Sequence, residues 1–399
     1  MSILDSTVLH RHVLEKLEAA DLMLGHTAEV KLDEVYTAEM ITPEWLGKAI
    51  GGEVPGAKIE KITFAGGHEG MTRRDKLSLV WNKEGQDAGL PKAIFIKATP
   101  TDVHLRETLS LLHMAELESH VYNDLGKELN GLIPKCFYAR AFPGGRFIII
   151  LEDMDEQGMT PHWMGDTVTI PLARAVAITF AKIHAKYWNS HRFEEDMVWV
   201  RPRCRRFGEN WLRNQFDINR KKFVESELGK SVPEYTQNLV RQWIKSSDKV
   251  YEYWDTKPPT IVHGDSHLGN VLEFPDGSAG IYDWQCLFRG YGYRDLSYFL
   301  MSAFTVEDCH GHEREIFDLY TDTLESKGVK VDKEEAWLDY CLLGLERFDS
   351  AMTSLNRGGY GHARHAFERQ VATLSVVLEE HNVANLLDRV VKTGSITPS

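Results

Sequence analysis

The feature that most constrains this chain is the segment 261–285, IVHGDSHLGNVLEFPDGSAGIYDWQ, in which polar side chains follow short apolar runs. Asp265 comes directly after a His-Gly pair, Asn270 lies five residues later, and Asp283 lies thirteen residues beyond Asn270. The apolar, β-branched residues at the start of the segment predict the end of a buried strand, and the polar residues after them predict a loop. The pattern therefore predicts two carboxylates and one amide that are presented by loops on a supporting scaffold.

The middle of this segment predicts a β-hairpin. Residues 275–278 are Pro-Asp-Gly-Ser between two apolar runs, and proline presets φ while glycine tolerates a positive φ. Because a hairpin brings its two ends together, we expect Asn270 and Asp283 to face one metal ion. An amide oxygen and a carboxylate oxygen suit Mg²⁺, which keeps waters and phosphate oxygens as its other ligands. With Asp265 to accept a hydroxyl proton, this set is sufficient for phosphoryl transfer.

A zinc-dependent hydrolase is the alternative interpretation of the same segment. His263, Asp265 and His267 stand at alternate positions, and histidine and aspartate side chains can converge on Zn²⁺. This alternative leaves Asn270 and Asp283 without a role, and no further motif completes a zinc site. We therefore prefer phosphoryl transfer and expect His263 to orient the loop through hydrogen bonds. The role of His267 stays open.

The combined pattern H-G-D-x-x-x-x-N and I-Y-D-W-Q resembles the catalytic and metal-binding loops of the aminoglycoside phosphotransferase and choline kinase-like family. The D-W-Q ending is most similar to the branch that includes the ecdysteroid kinase-like proteins. The resemblance implies an α+β, protein-kinase-like fold of two lobes. We expect a small β-rich nucleotide-binding lobe with one key helix at residues 1–154, of which 1–50 form a helical extension. A larger, mainly α-helical catalytic and acceptor-binding lobe is expected at 155–399.

A glycine-rich turn in the first lobe is expected to cover the phosphates of the nucleotide. Segments 57–64 and 76–81 alternate like strands, and the sequence between them is rich in glycine. Glycines let the backbone approach anions closely. The glycines concerned are Gly66, Gly67 and Gly70, and Thr72, Arg73 and Arg74 are further candidates for phosphate contacts.

A lysine at the end of an apolar run is expected to contact the phosphates. In this order along the chain, Lys97 resembles the strand lysine of kinases, which binds the α- and β-phosphates and pairs with a glutamate on the next helix. Helical periodicity extends over 103–125, and Glu118 stands four residues before a tyrosine, which resembles the E-x-x-x-Y helix of the family. We choose Glu118 as the partner, with Glu116 and Glu107 as competitors.

The run RFIIILED at 146–153 predicts a strand followed by a linker. The resemblance assigns Glu152, Asp153 and Met154 to adenine binding, mostly through main-chain atoms. The alternative is that Asp153 only caps the segment that follows. Farther on, 171–188 predicts an amphipathic helix in which His184 is a packed residue. Asp295 is expected to N-cap a helix and to fix the metal loop through backbone N–H groups.

Composition bounds the partners and the compartment. The formal net charge of −13 argues against nucleic acid as a partner, because phosphate backbones require concentrated Lys and Arg. The one basic cluster, 201–206, is interpreted as a solvated loop, with an anion site as the second possibility. No apolar run approaches the ~20 residues that span a bilayer. The charged first 24 residues predict an amphipathic helix instead of a signal peptide, and five scattered cysteines suit a reduced cytoplasmic protein.

These observations predict an ATP- and Mg²⁺-dependent phosphotransferase that acts on a hydroxyl group of a small molecule. Asp265 and Lys97 are the predicted catalytic residues, and Asn270 and Asp283 are the predicted metal ligands. A rival from another class is a kinase-like protein that binds nucleotide without catalysis. The sequence leaves open the acceptor, the preference for ATP over GTP, and the oligomeric state.

Overall fold

The computed structural model describes residues 34–203, 209–358 and 364–398, with residues 209–212 described by their backbone alone. The chain divides into two compact units. Within the described residues, unit 1 comprises 34–160 and Asp283–Gln285, and unit 2 comprises Pro161–Tyr282 and the chain from Cys286 onward. The domain boundary that we expect after residue 154 stays a prediction. The N-terminal amphipathic helix lies outside the described residues.

Unit 1 is built around one antiparallel sheet of five strands. Its spatial order is β1-β2-β3-β5-β4, so β3 and β5 lie inside the sheet while β1 and β4 form its edges. The strands are β1 (Ile59–Glu69), β2 (Arg73–Trp81), β3 (Ala93–Ala98), β4 (Cys136–Phe142) and β5 (Arg146–Glu152).

The period of two along these strands separates an apolar face from a polar one. Ile94, Ile96 and Ala98 of β3 are fully buried and belong to the hydrophobic core of unit 1. Lys97 lies between two of these residues and therefore points to the opposite face of the sheet. Register places Arg74 of β2 directly across from Lys97. Two cationic side chains thus share one face of the sheet.

The glycine-rich segment differs from the expectation. Strand β1 continues to Glu69, which pairs with Arg73, so Gly66 and Gly67 lie within the strand and only Gly70 lies in the turn. A β-bulge between Phe64 and Gly66 keeps the strand going, and Gly66 has a φ of +150° there. At position 67 a Cβ would lie 2.3 Å from Asp75 Oδ1, so a close strand–strand approach requires this glycine.

The helical part of unit 1 is also more interrupted than expected. The predicted helix over 103–125 breaks at His113, whose φ of +53° is left-handed. Two short helices and a π-helical turn, Val121–Leu125, replace it. The helices of unit 1 are α1 (Pro43–Gly51), α2 (Lys83–Asp87), α3 (Val103–Leu111) and α4 (Met114–His120).

Unit 2 is mainly helical, with short strands that carry loops. A two-residue strand, β6 (Thr160–Pro161), stands where the chain passes into this unit. The remaining strands are β7 (Thr260–Val262), β8 (Val271–Glu273), β9 (Ala279–Ile281) and β10 (Phe288–Gly290). The helices are α5 (Ile170–Tyr187), α6 (Glu209–Glu225), α7 (Glu227–Ser231), α8 (Glu234–Trp254), α9 (Tyr293–Ala303), α10 (Val306–Asp308), α11 (Arg314–Ser326), α12 (Lys333–Asn356), α13 (Arg364–Glu380) and α14 (Val383–Thr393).

The predicted hairpin is confirmed. Strands β8 and β9 pair in antiparallel register around the turn, and the Tyr282 amide donates to the Asn270 carbonyl at 3.1 Å just beyond them. Helix α5 packs against α11, and α9 packs against α12. The hairpin and the loop after β7 are therefore supported by a helical core in which α9 is almost wholly buried.

The structure bears on three expectations from composition, which concern the basic cluster, the cysteines and membrane-spanning segments. Arg203 from the basic cluster pairs with Glu346 and stacks on Tyr251, with its guanidinium carbon 4.7 Å from the ring centre, so it is not a solvated residue. Residues 204–206 of the cluster lie outside the described residues. Cys136, Cys309 and Cys341 are free thiols. Among the helices of the described residues, none combines the length and apolarity that crossing a bilayer demands.

Candidate active site

The loop that carries Asp265 begins with a turn that only glycine fits. Gly264 follows His263 with a φ of +88°, and a Cβ at this position would lie 2.1 Å from the carbonyl oxygen of Cys286. His263 stabilises the turn, because its Nδ1 accepts the Asp265 amide at 3.2 Å and its Nε2 lies 2.9 Å from the Tyr282 carbonyl. The orienting role expected for His263 is thus confirmed.

Asp295 holds this loop from below. Its carboxylate accepts the amides of His263 at 2.6 Å and of Gly264 at 3.2 Å. The expected anchoring of the loop is confirmed, but the expected N-cap is wrong. Helix α9 begins at Tyr293 with Gly292 in the cap position, which makes Asp295 the third helical residue. Its side chain can therefore point away from the helix terminus and toward the loop.

The core beneath Asp295 keeps its carboxylate charged. His184 is buried, as expected, with Nδ1 2.7 Å from the Tyr320 hydroxyl and Nε2 3.3 Å from Asp295. Burial by itself raises the pKa of the Asp295 carboxyl, but the hydrogen bond from His184 and the charge of Arg294 outweigh it and lower the pKa below its usual range. A charged acceptor makes stronger hydrogen bonds to backbone amides than a neutral one.

Asp265 is held by side chains on both of its oxygens. Tyr298 donates to Oδ1 at 3.1 Å, and His267 Nε2 lies 3.5 Å from Oδ2. Burial raises the pKa of Asp265, but the charges of His267 and Arg347 lower it by more. The net pKa therefore lies below the usual range. Because its pKa is low, the carboxylate is ionised at neutral pH. It is also one-third exposed, so a ligand can reach it and transfer a proton to it.

Asn270 is fixed next to Asp265. Its side-chain amide nitrogen donates to the Asp265 carbonyl at 2.8 Å, and the residue is buried. This bond orients the amide so that its oxygen is the group that can accept a hydrogen bond or bind a cation. The structure therefore brings Asp265 and Asn270 together on one loop of unit 2.

In unit 1, Asp283 is held by two cations. Lys97 Nζ lies 2.7 Å from one carboxylate oxygen, and Arg74 Nη2 lies 3.2 Å from the other. The backbone of Asp283 has a φ of +66°, a conformation that is uncommon outside glycine and that clusters at functional sites. That Asn270 and Asp283 share one metal ion stays a prediction.

Lys97 also pairs with Glu118, 2.5 Å from its Nζ. Burial lowers the pKa of Lys97, but Asp283 and Glu118 raise it more, so the net pKa is above its ordinary value. Burial raises the pKa of Glu118 to about 6, against the opposing charge of Lys97. The pair is thus charged at neutral pH. The competing glutamates lie elsewhere, Glu107 beside His104 and Glu116 beside His113.

The segment after β5 is tied to the sheet by side chains. Asp153 accepts the Glu156 amide at 3.0 Å, as a cap would, and also binds Lys76 Nζ at 2.9 Å. The Glu152 carboxylate accepts the Lys135 amide, and the Met154 carbonyl accepts the Met159 amide. Some of the groups expected to bind adenine are therefore engaged within unit 1, and this role stays a prediction.

The turn after β1 contains one buried polar atom without a partner. The Thr72 hydroxyl is inaccessible to solvent and has no hydrogen-bond partner within the part of the chain that the structure describes. Such an orphaned group in a native structure requires an explanation, for example an absent ligand. Thr72 adjoins Gly70, whose amide donates to its carbonyl. A phosphate oxygen would satisfy this hydroxyl.

The geometry disfavours the zinc alternative. Both ring nitrogens of His263 are engaged by backbone groups, an amide and a carbonyl. Within 34–203, 209–358 and 364–398, no group of three or more His, Cys, Asp or Glu side chains is arranged to hold a metal ion. A Mg²⁺ site of one amide, one carboxylate and phosphate oxygens requires fewer protein ligands than such a group supplies.

Comparison with known proteins places the chain in a family. The profile of the ecdysteroid kinase-like family matches residues 76–331, which is more than half of the chain. The chain belongs to the ecdysteroid kinase-like family. Membership confirms the expected recognition and the class of enzyme, a small-molecule kinase. The expected α+β, protein-kinase-like fold is confirmed as well, with the five-stranded sheet in unit 1 and the mainly helical unit 2. Among curated protein sequences, none matches significantly.

Solved structures of small-molecule kinases are similar to the chain at low identity. Ethanolamine kinase from Plasmodium vivax is 12% identical, covers 92% of this chain and 96% of its own, and has a TM-score of 0.49. Choline kinase LicA from Streptococcus pneumoniae is 13% identical, with 84% and 98% covered and a TM-score of 0.44. Spectinomycin phosphotransferase, solved with ADP and spectinomycin, is 16% identical, with 85% and 97% covered and a TM-score of 0.47.

Sequence reasoning missed two side chains of the site. Tyr298, which binds Asp265, stands three residues after Asp295 on the same helix, a spacing that places both on one helical face. Arg74, named only as one of three candidates for phosphate, shares the polar face of β2 with Lys76 at a spacing of two. Periodicity could have identified both residues if it had been known that helix α9 lies against the Asp265 loop and that β2 pairs with β3.

Proposed function

We propose that this protein transfers the γ-phosphoryl group of ATP to a hydroxyl group of a small molecule, with Mg²⁺ as cofactor. The observation that carries the proposal is the buried cluster in which Lys97 contacts Glu118 at 2.5 Å and Asp283 at 2.7 Å. Kinases require both a strand lysine paired with a helix glutamate and a metal-binding aspartate in place. Residues from three distant parts of the sequence meet here in that combination.

The donor set is chemically suited to the metal. Asp283 offers carboxylate oxygens of the kind that Mg²⁺ prefers, and the two cationic groups that now hold it would turn to the phosphates. Asn270 and Asp283 would hold Mg²⁺, whose charge would neutralise the phosphate oxygens. Lys97 would bind the phosphates, and Thr72 and the Gly66, Gly67 and Gly70 backbone would lie over them.

The chemical step would use Asp265 as the proton acceptor. The acceptor hydroxyl oxygen attacks the γ-phosphorus, the bond from that phosphorus to the β–γ bridging oxygen breaks, and ADP leaves with the electron pair. The hydroxyl proton passes to the Asp265 carboxylate late in the step. Glu152, Asp153 and Met154 are proposed to contact the adenine ring.

The acceptor is to be sought among small alcohols. The family description names ecdysteroid kinases, so ecdysteroids should be tested beside choline, ethanolamine and aminoglycosides. The assay measures ATP consumption over this panel with Mg²⁺ and then detects a product heavier by one phosphate. ATP binding without any phosphorylated product would favour the rival, a nucleotide-binding protein without catalysis.

Asp265→Asn tests the proposed base with the acceptor that the panel identifies. Turnover should fall by roughly 10²–10⁴-fold, the usual contribution of a general base. Asp276→Asn is the matched control, because it makes the same change on the exposed hairpin turn, where the carboxylate accepts the Ser278 amide and hydroxyl. Unchanged turnover in Asp265→Asn would reject the proposed role.

A further inference from the structure

Tyr298 occupies the centre of a buried polar network beneath Asp265. Its hydroxyl lies 3.1 Å from Asp265 Oδ1, 2.9 Å from Arg347 Nη1 and 2.8 Å from Ser350 Oγ. Arg347 and the tyrosine ring are buried, and helices α9 and α12 supply the three network residues. Tyr298 contacts the loop of unit 2 through its hydroxyl, which bonds to Asp265.

The donors and acceptors of this network can be ordered. A guanidinium can only donate, so Arg347 donates to the Tyr298 oxygen and, at 3.3 Å, to the Ser350 oxygen. A carboxylate oxygen accepts, so the single proton of the tyrosine is directed to Asp265. The tyrosine hydroxyl also lies 2.8 Å from Ser350 Oγ, which competes with the carboxylate for that proton. The charged carboxylate is the stronger of the two acceptors, so Asp265 is the favoured partner of the tyrosine proton.

The tyrosine ring is fixed by two cations. The guanidinium carbon of Arg294 lies 4.3 Å from the ring centre and that of Arg347 lies 4.8 Å from it, both within cation–π range. Arg294 is itself tied to Glu346 at 2.8 Å, and Arg347 is tied to Gln370. Because the ring cannot swing away, the position of its hydroxyl is determined by the helical core.

We propose that Tyr298 is a positioning residue for Asp265. It holds Oδ1 in place and so fixes the orientation of the carboxylate that is to receive the proton of the acceptor hydroxyl. The inference rests on the proposed function, in which Asp265 is the proton acceptor. It adds to that function the side chain that sets the orientation of the carboxylate, and a misplacement of about 1 Å can cost about 10²-fold in rate.

The test uses the full chain and ATP with Mg²⁺, with water as the acceptor and ADP release as the signal. Tyr298→Phe keeps the ring and removes only the hydroxyl. We expect its kcat to fall by about 10- to 100-fold with an unchanged KM for ATP, because only the orientation of the base is lost. Tyr340→Phe is the matched control, since it removes another buried tyrosine hydroxyl bound to a carboxylate, Glu313 at 2.8 Å. The control should keep the kcat of the parent.

A double variant separates positioning from a structural role. If Tyr298 acts through Asp265, adding Tyr298→Phe to Asp265→Asn should cost no further rate, because residues that act as a unit are not additive. An equal fractional loss in both backgrounds would overturn the inference, and so would a Tyr298→Phe variant with the parent's kcat. If the parent releases no ADP with water, the same variants are compared with the acceptor that the panel identifies. If Asp265→Asn itself keeps the parent's rate, the proposed function fails and the inference fails with it.

Discussion

The two buried clusters of this protein are stabilised in different ways. In unit 1, Lys97 is surrounded by side-chain charges, with Glu118 and Asp283 against it and Arg74 on the far side of Asp283. In unit 2, the loop of Asp265 is held by hydrogen bonds to backbone amides, with Asp295 as the acceptor. The first cluster depends on mutual attraction of charges, and the second depends on directional bonds to the main chain.

The difference teaches how each cluster can respond to a ligand. Ion pairs between side chains can exchange partners when new charges arrive, because each side chain has rotamers of similar energy. A loop bonded through its amides keeps its shape, since moving it leaves buried N–H groups without acceptors. We therefore expect the charge cluster of unit 1 to reorganise on binding and the loop of unit 2 to stay rigid.

The largest expected effect breaks the charge cluster. Lys97→Met should lower the free energy of unfolding by about 3–5 kcal/mol, because removing one partner leaves buried carboxylates uncompensated. Chemical denaturation and titration with MgADP measure both stability and binding. Adding Glu118→Leu should restore part of the stability, since an apolar replacement of both partners is often tolerated, but it should not restore binding. Equal loss of stability in the single and double variants would contradict the charge-based account.

The next effect breaks the loop of unit 2. Gly264→Ala should cost about 3 kcal/mol or more, because a left-handed φ costs ~1–3 kcal/mol and the added methyl group also meets the Cys286 carbonyl. Gly277→Ala is the control. Gly277 has a similar φ of +80° in the hairpin turn, and nothing lies within 4 Å of its Cβ position. The difference in thermal unfolding between the two variants measures the cost of the clash with the Cys286 carbonyl. Equal destabilisation would show that the positive φ alone determines the cost.

A second lysine–carboxylate cluster, in unit 2, provides a test of pH dependence. Asp339 is buried between Lys257 Nζ at 2.7 Å and the Tyr253 hydroxyl at 2.7 Å. Burial raises its pKa from 3.8 to about 6, against the charge of Lys257. A folded-state pKa above the unfolded value means that protonation favours the fold. This contribution is fully present below about pH 4 and is lost as pH rises through 6.

The free energy of unfolding should therefore decrease with pH through this group. Between pH 5 and 8 the loss is about 1.4 kcal/mol, the value of one pKa unit. Asp339→Asn should remove this pH dependence. As pH rises from 5 to 8, the free energy of unfolding of the parent should therefore fall relative to that of the variant. Urea unfolding at several pH values measures it. A difference that does not change between pH 5 and 8 would contradict the assigned pKa.

The smallest effect concerns the outer cation of unit 1. The Arg74 side chain is 30% exposed, so Arg74→Gln should change stability by no more than about 1 kcal/mol. The difference should shrink as NaCl rises from about 0.05 to 1 M, because salt screens exposed pairs. A large, salt-independent loss would show that Arg74 belongs to the buried cluster as fully as Lys97 does.

Much of the fold and part of the site were accessible from sequence because they depend on local patterns. The hairpin between Asn270 and Asp283 is encoded by turn residues and flanking apolar runs, and the two strands pair in the structure as predicted. Periodicity also located the strand that ends near Lys97 and the packed position of His184. These features need only neighbours along the chain.

What the sequence could not reveal depends on tertiary contacts. The left-handed His113 that divides the predicted helix gives no local signal such as glycine or proline. The length of β1 is determined by pairing with β2, which also explains why Gly67 lies in a strand. Tyr298 becomes informative only when helix α9 is known to lie under the loop of Asp265. In each case the deciding partner is distant in sequence.

The pairing of Lys97 and Arg74 with Asp283 has a consequence for discrimination among anions. Each cation is already neutralised, so a free inorganic phosphate would have to compete with a resident carboxylate for either of them. A nucleotide that arrives with its divalent ion brings a replacement partner for that carboxylate, and the two basic side chains are then released together. If the proposed function holds, the resting protein would be insulated from the simple anions of its surroundings, yet receptive to a metal-loaded nucleotide.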